Sequence, residues 1–200
     1  MKIPSINAAK TMLIEAKNLF PGPWVAHSFS VAENAKYIAE KCNDMDSDAA
    51  YIMGLLHDIG RREGFKNILH LFDGYDYLIA LGYNDAARIC LTHSFPIADI
   101  NTFFGKFDCS TEQFEFLKSY LVSVKFNDYD RLIQLCDAIS LPQGAVLMEK
   151  RFVDVACRHG LPVFTINKWQ SFFKLKEYFD RKAGCNIYNV LPNIIENTFG

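Results

Sequence analysis

The chain has 200 residues, of which 50% are hydrophobic and 22% charged, and its formal net charge is −2. This length and composition predict a single globular domain with a sizeable core, which 17 Phe and 9 Tyr make rich in aromatic groups. A nearly neutral chain without a basic stripe is not expected to bind nucleic acid, although a small phosphorylated ligand needs only one or two local cations.

The first residues and the cysteines both predict a cytoplasmic protein. Lys10, Glu15 and Lys17 interrupt the region where a signal peptide needs an unbroken apolar stretch. Apolar runs such as Ala49–Leu56 fall well short of the roughly 20 residues that cross a bilayer, so we expect no membrane partner. The six Cys form no CxxC pair, and their spacing favours reduced thiols over disulfides or thiolate zinc sites.

Apolar residues recur at helical spacing through the first half of the chain. The predicted helices there are Ser5–Phe20, about Trp24–Cys42, Asp48–Asp58 capped by Ser47, a helix opened by Asp73 or Gly74 and ending at Gly82, and Asp85–His93 capped by Asn84. The helix Asp48–Asp58 is apolar almost all round, which predicts a central position, and Gly60 is expected to end it.

The second half continues the helical pattern. Its predicted helices are one from the capping box Ser110-Thr111-Glu112-Gln113 to about Phe126, then Tyr129–Leu141 capped by Asp128, Ala145–His159 and Thr165–Ala183. Pro142–Gly144 is expected to end the second of these, and strand signals are weak throughout. The prediction is an all-α fold of eight or nine helices, a single domain over residues 1–200 with an accessory helical layer from about residue 145.

Charged residues interrupt apolar helices at two places. GLLHDIGR, residues 54–61, places His57 and Asp58 directly after an apolar helix, and Asp137 lies inside the apolar run LIQLCDAI. A buried carboxylate must be paired or bound to a cation, because isolated burial is too costly. For His57-Asp58 alone, the simpler interpretation is a helix C-terminus with a capping Asp. With His27 in the same domain, a shared metal is the more economical hypothesis, and imidazole with carboxylate suits Zn, Mn, Fe, Co or Ni.

Three segments, AHSFSVAENAKYIAE, GLLHDIGR and LIQLCDAIS, resemble the ligand-bearing segments of the HD superfamily of metal-dependent phosphohydrolases. The resemblance covers roughly residues 24–140 and implies an HD-domain helical bundle with a metal-site core of about 24–141. Carried over by position, it implies that His27, His57, Asp58 and Asp137 bind one divalent transition metal. It is specific for the superfamily and nearly silent about the substrate.

Two further histidines extend this hypothesis. Some HD enzymes use two additional His for a second metal. In this chain His70 and His93 lie between the pair His57-Asp58 and Asp137. The resemblance then implies one or two metals per chain, with Asp58 bridging a pair. The simpler interpretations are a surface His70 in a loop and His93 at a helix C-terminus. The chain lacks the GYP-type signature and the paired HH of cyclic-dinucleotide phosphodiesterases, which argues against that substrate.

Arg61, Arg62 and Lys66 follow the HD pair and are candidates for binding a phosphate, with Arg61 favoured because family members often carry Arg or Lys there. The alternative for each is solvated loop charge.

His159 is interpreted as a helix cap. The aromatic residues of the C-terminal third are expected in the core, although they can also form a pocket wall or the surface of a homodimer.

These expectations combine into a predicted mechanism. A metal-bound hydroxide attacks the phosphorus of a small phosphoester such as a nucleotide, with catalytic Asp58 on the metal and catalytic Arg61 neutralising charge on the phosphoryl group. Two alternatives stay open: a diiron oxygenase on the same scaffold, and a nucleotide-binding sensor that has lost turnover.

Overall fold

The computed structural model describes all residues, 1–200, and confirms the all-α prediction. Ten α-helices form: α1 Ile6–Leu19, α2 Pro23–Ala39, α3 Ser47–Leu56, α4 Leu69–Ala80, α5 Asn84–Thr92, α6 Thr111–Ser123, α7 Asp128–Ala138, α8 Met148–His159, α9 Thr165–Ala183 and α10 Ile194–Phe199. Short 3-10 turns lie at Ile59–Glu63, Ile100–Thr102 and Ile187–Asn189. No helix combines the length and apolar character that crossing a bilayer requires.

The helix caps follow the predicted chemistry, in places one residue earlier than predicted. The capping box of α6 is confirmed, since Ser110 and Gln113 bond each other's backbone N–H. For α3 the predicted cap Ser47 is wrong, because the Asp46 carboxylate accepts the first free N–H groups. For α7 the cap is Asn127 rather than the predicted Asp128. Helix α5 begins at the predicted cap itself, and no side chain caps it.

Helix α4 begins earlier than predicted. It opens at Leu69 rather than at Asp73 or Gly74, so His70 lies in a helix and not in a surface loop. The cap comes from far along the chain, because the Asp108 carboxylate accepts a hydrogen bond from the Leu69 N–H at 2.9 Å. A local pattern cannot reveal a cap that arrives from another segment.

A two-stranded hairpin follows α7, and the sequence did not predict it. Strands β1 Ser140–Leu141 and β2 Gly144–Ala145 pair antiparallel. The unpredicted helix α10 holds the hairpin in place, since the Asn197 amide donates to the Ala145 carbonyl at 3.0 Å. Two residues per strand are too few to show a period in the sequence.

The C-terminal helices share a core with the helices that precede them. Side chains of α2, α3 and α7 form one apolar cluster with those of α8, α9 and α10. At its centre α3 is buried from Ala49 to Leu56, which confirms its predicted central position. Helices α2 and α3 approach closely at Gly54, where a Cβ would lie 2.5 Å from the Ala32 Cα.

Gly60 has a different role from the predicted helix stop. It lies inside the turn Ile59–Glu63 and its φ is not positive, so no left-handed conformation requires it. A Cβ at Gly60 would instead meet the His70 carbonyl at 2.0 Å and the Gly74 nitrogen at 2.4 Å. The missing side chain lets the turn after Asp58 lie directly against α4.

A buried ion pair fixes α5 against α7. The Asp130 carboxylate is fully buried and accepts hydrogen bonds from Arg88 Nε at 3.0 Å and Thr92 Oγ1 at 2.7 Å. The Gln134 amide of α7 adds bonds to the carbonyls of Thr92 at 3.0 Å and Phe95 at 3.1 Å. These bonds hold α5 and the residues just after it against the first two turns of α7.

This network gives a stability prediction. Asp130→Ala leaves the Arg88 guanidinium without its buried partner, and we expect it to lower the free energy of unfolding by about 3–5 kcal/mol. Urea denaturation followed by circular dichroism measures the loss. The control is Asp76→Ala on α4, an exposed carboxylate without an ion pair, expected to change stability by less than about 0.5 kcal/mol. Equal stability of the two variants would contradict a stabilising role of the Asp130 ion pair between α5 and α7.

Candidate metal centre

Six side chains from five helical segments converge at one place. The segments are α2, the end of α3 with the turn that follows it, α4, the end of α5, and α7; the side chains are His27, His57, Asp58, His70, His93 and Asp137. They form three overlapping triads, each with its ligand atoms within 4.8 Å of one another: His27, His57 and Asp58; His57, His93 and Asp137; Asp58, His70 and His93. The structure therefore brings together all six residues predicted as metal ligands.

Three of the imidazoles are oriented by the backbone. Their Nδ1 atoms contact carbonyls three or four residues earlier, His57 with Gly54 at 2.7 Å, His93 with Ile89 at 3.1 Å and His70 with Asn67. A carbonyl only accepts hydrogen bonds, so each Nδ1 carries the hydrogen and each Nε2 is an acceptor. Only His70 Nε2 has a donor nearby, Arg61 Nη2 at 3.4 Å. This is how metal-binding histidines are commonly held, with one nitrogen fixed by a hydrogen bond and the other presented to the ion.

Asp58 lies at the centre of the group. Its Oδ1 is 3.1 Å from His70 Nε2 and 3.6 Å from His93 Nε2, without hydrogen-bond geometry. Its Oδ2 accepts a hydrogen bond from Arg61 Nε at 2.5 Å and lies 3.8 Å from His57 Nε2. Both Asp58 Oδ1 and His57 Nε2 are buried and make no hydrogen bond.

These two orphaned acceptor atoms test whether a metal fits. A buried polar atom without a partner costs about 1–3 kcal/mol, and more when it is charged. The His57 Nε2 lone pair and the Asp58 Oδ1 atom are both acceptors, so neither can satisfy the other by a hydrogen bond. A divalent transition cation satisfies both, since nitrogen and oxygen ligands of this kind suit such metals. The residues present fit a metal.

The protonation states also suit metal binding. Burial lowers the pKa of His93 to about 3 and also lowers that of His57, so both rings are neutral near pH 7. Burial opposes ionisation of Asp58, but the positive charge of Arg61 outweighs it and holds the pKa of that carboxyl well below its usual value. Burial likewise opposes ionisation of Asp137, and its hydrogen bond with His27 outweighs it and lowers the pKa. Neutral imidazoles and ionised carboxylates are the ligating forms.

His27 and Asp137 close the centre on the cavity side. His27 Nε2 lies 2.9 Å from Asp137 Oδ1, which joins α2 to α7. These two side chains are 12% and 29% exposed, whereas those of His57, Asp58, His70 and His93 are each at most 6% exposed. The centre thus has two sides. One is buried and contains His70 and His93, the candidate ligands of a second metal, and the other is open to a cavity.

That cavity has a volume of about 690 Å³. Its floor is formed by His27, Asp58, His70, His93 and Asp137. Its walls come from two parts of the chain: Phe20, Trp24, Arg61, Phe65, Phe103 and Phe104 precede α7, and Arg151, Phe152, Arg158, His159, Lys168, Trp169 and Phe172 belong to α8 and α9. The C-terminal helices are therefore part of the site.

The three residues predicted to bind phosphate lie in different surroundings. Arg61 lines the cavity and holds Asp58, whereas Arg62 and Lys66 do not line it. The Arg62 guanidinium lies 4.1 Å from the centre of the Tyr77 ring, and the Lys66 ammonium pairs with Asp73 at 2.8 Å. Because a 3-10 turn rotates each residue by about 120°, Arg61 and Arg62 face different directions. These positions remove the basis for predicting that Arg62 and Lys66 bind substrate.

The cations of α8 and α9 line the cavity, and the sequence did not indicate them as candidates for the site. Arg151, Asp154 and Arg158 share one face of α8, since they follow helical spacing. That spacing was visible in the sequence, but nothing local showed which face meets the metal centre. His159, interpreted as a helix cap, does end α8 and also lines the cavity, where burial lowers its pKa.

The aromatic residues of the C-terminal third divide between the core and the cavity. Trp169 stacks on Phe152 with ring centres 5.1 Å apart and planes within 2° of parallel. Both rings line the cavity, and so does Phe172. Phe179 is instead fully buried in the core. Some aromatic residues of the C-terminal third therefore lie in the core and others in the pocket wall, as the two predicted alternatives allowed.

Metal content distinguishes the ligand sets. Asp58 belongs to two triads, so Asp58→Ala is expected to remove nearly all bound metal, and with it the stabilisation that binding gives the folded state. His70→Ala is expected to remove only part, because His27, His57, Asp58 and Asp137 remain. Elemental analysis of protein reconstituted with Mn²⁺, Fe²⁺ or Zn²⁺ measures both, and the melting temperature follows the stabilisation.

The control for this measurement is His159→Ala, since His159 is the one histidine outside the triads. It is expected to keep its full metal content. Full metal content in Asp58→Ala would contradict the assignment of the centre, and complete loss in His70→Ala would contradict two separable ligand sets.

A protein-family model matches the region of the chain that contains the candidate metal centre. The model of the HD domain matches residues 24–141, which is more than half of the chain and includes all six clustered side chains. No curated protein and no solved structure matches the sequence. By this match the chain belongs to the HD domain family, a superfamily of mostly metal-dependent hydrolases.

Proposed function

We propose that the chain is a metal-dependent phosphohydrolase that acts on a small phosphoester such as a nucleotide. The observation that carries this proposal is the position of the metal centre, on the floor of a cavity whose walls carry unbalanced positive charge. A volume of about 690 Å³ is typical of small-molecule sites, so the ligand is a small molecule rather than a polymer.

The charge of the walls suits a phosphoryl group. Arg61 is paired with Asp58, which leaves Arg151, Arg158 and Lys168 against the single wall carboxylate, Asp154. Asp154 accepts from Arg151 at 2.6 Å and from Arg158 at 2.9 Å. These groups leave an excess of one to two positive charges near pH 7, because burial lowers the pKa of Lys168 to about 7 and its amine is only partly protonated there. A phosphomonoester carries about −1.5 to −2 near pH 7, so its charge matches this excess.

Each polar group has a role in the proposed reaction. His27, His57, Asp58 and Asp137 would hold one metal, and His70 and His93 would complete a site for a second. A bound metal supplies an acidified water and withdraws charge from the phosphoryl oxygens. Arg61 uses its Nε to hold Asp58, and its Nη2 contacts His70 Nε2 at 3.4 Å, which leaves Nη1 to donate to a phosphoryl oxygen. In this way one side chain positions a ligand and neutralises developing charge.

The apolar part of the wall supports a nucleotide or another ester with a planar group. Trp24, Phe104 and the stacked pair Phe152 and Trp169 line the cavity. Planar rings pack favourably on aromatic side chains. The phosphate end of such a ligand would face the metal centre, and its planar end would face these rings.

A screen of phosphoesters tests the function. Protein reconstituted with each candidate metal is incubated with nucleoside mono-, di- and triphosphates, p-nitrophenyl phosphate and its bis-ester, and released phosphate or nitrophenol is measured. Metal-dependent release by the wild type, absent in Asp58→Ala, is expected. Oxygen consumption without hydrolysis would favour the diiron oxygenase. Tight nucleotide binding without product would favour the sensor.

A substitution at Arg61 tests its role. Loss of a charge-assisted contact costs on the order of 2–3 kcal/mol, so Arg61→Ala is expected to lower kcat/KM by roughly 30- to 150-fold. Metal content should be retained, because the six candidate ligands remain. Arg61→Lys should recover only part of the rate, since an ammonium lacks the forked geometry. Arg181→Ala, an exposed arginine of α9, is the control with unchanged kinetics. Wild-type kinetics in metal-replete Arg61→Ala would remove Arg61 from the mechanism.

A further inference from the structure

Lys168 of α9 is a buried cation in the wall of the cavity. Its side chain reaches across to the segment after α5, where Nζ donates to the carbonyls of Ser94 at 3.0 Å and Thr102 at 2.9 Å. The ammonium also lies 4.7 Å from the centre of the Phe104 ring. The residue is only 4% exposed and nevertheless lines the cavity. Its charge is therefore held at a fixed place in an almost dry environment.

No carboxylate pairs with this ammonium. The buried Arg88 contact with Asp130 shows how the fold satisfies a buried charge elsewhere, yet no acidic oxygen lies within 4.0 Å of the Lys168 nitrogen. Burial lowers the pKa of Lys168 to about 7, and only the more distant Asp137 opposes the shift. Two of the three N–H donors are used, which leaves one for the cavity. A buried cation that lacks an anion is costly, unless a ligand supplies one.

The position of Lys168 relates it to the metal centre. Ser94 directly follows His93, so the ammonium is fixed to the segment that carries one candidate ligand. Arg61 approaches the same cavity from the turn after α3. Arg151 and Arg158 share Asp154, whereas Lys168 has no acidic partner. Among the wall cations, Lys168 is thus the one whose charge is both buried and unpaired.

We propose that Lys168 is a substrate-binding residue that donates its free N–H to an anionic oxygen of a phosphorylated ligand. The ligand class rests on the proposed function, but anion binding itself does not require turnover. The assignment makes α9, which lies outside the residues matched by the family model, a direct part of the ligand site. The competing role is purely structural, with Lys168 only joining α9 to the segment after α5.

Binding of inorganic phosphate to the metal-loaded full chain tests this proposal. Calorimetry gives the Kd for wild type, Lys168→Gln and Lys168→Met. The Gln amide keeps a donor toward the carbonyls but removes the charge, and Met removes both. Both substitutions are expected to raise the Kd about tenfold or more, because a charge-assisted bond is lost. Lys174→Gln, an exposed lysine on the same helix, is the control with an unchanged Kd.

The outcomes separate the two roles. A purely structural Lys168 predicts a wild-type Kd in Lys168→Gln together with a lower melting temperature in Lys168→Met, and that result would overturn the proposal. If neither variant folds, the ε-carbon resonance of Lys168 in the wild type decides. It should shift on addition of phosphate while that of Lys174 does not, and an unmoved Lys168 signal would also overturn the proposal.

The same experiment distinguishes this inference from the proposed function. If the wild type hydrolyses no phosphoester but Lys168→Gln still weakens phosphate binding, the hydrolase proposal fails and the role of Lys168 stands. If hydrolysis is confirmed and Lys168→Gln changes neither KM nor the phosphate Kd, only the role of Lys168 fails.

Discussion

The ionised carboxylate of Asp58, buried at the end of an apolar helix, is the constraint around which the structure is arranged. Burial alone would neutralise this group, so its surroundings must supply positive charge. Arg61 supplies one charge from the following turn, and His70 and His93 present lone pairs that need a cation of their own. The low pKa of Asp58 therefore comes from the positive charge of Arg61 and is kept in spite of burial, and the imidazoles around the carboxylate complete a candidate metal site.

The ligands can converge only because backbones approach closely. Gly54 allows α3, which ends at His57, to lie against α2, which carries His27. Gly60 allows the turn after Asp58 to lie against the His70 carbonyl. A single methyl group at either position would push apart two elements that share the centre. The glycines around the HD pair thus act on the site through packing and not through unusual dihedral angles.

The sequence predicted those features that depend on local pattern. Helical periodicity located most helices, and charged residues inside apolar runs identified His57, Asp58 and Asp137. The resemblance to the HD superfamily supplied the remaining candidates, including His70 and His93. The prediction failed where a distant segment decides the outcome, as when Asp108 caps α4 and moves its start to Leu69. The family resemblance favoured Arg61 over Arg62, but only the geometry of the turn shows that Arg61 faces the cavity and Arg62 faces Tyr77. Lys168 gave no signal at all, since neither its burial nor its unpaired charge can be inferred from its neighbours in α9.

The two parts of the cavity divide the chemistry between them. The region matched by the family model, residues 24–141, contributes the candidate metal ligands and Arg61, which is paired with Asp58. Arg151, Arg158 and Lys168 lie beyond it, and so do the stacked rings of Phe152 and Trp169. A bound metal can activate many esters alike, so discrimination between them must come from contacts that differ between ligands. Those contacts lie mostly on α8 and α9. Under the proposed function, substitutions in these two helices should change which ester is accepted, whereas substitutions among the candidate ligands should change whether any ester is hydrolysed.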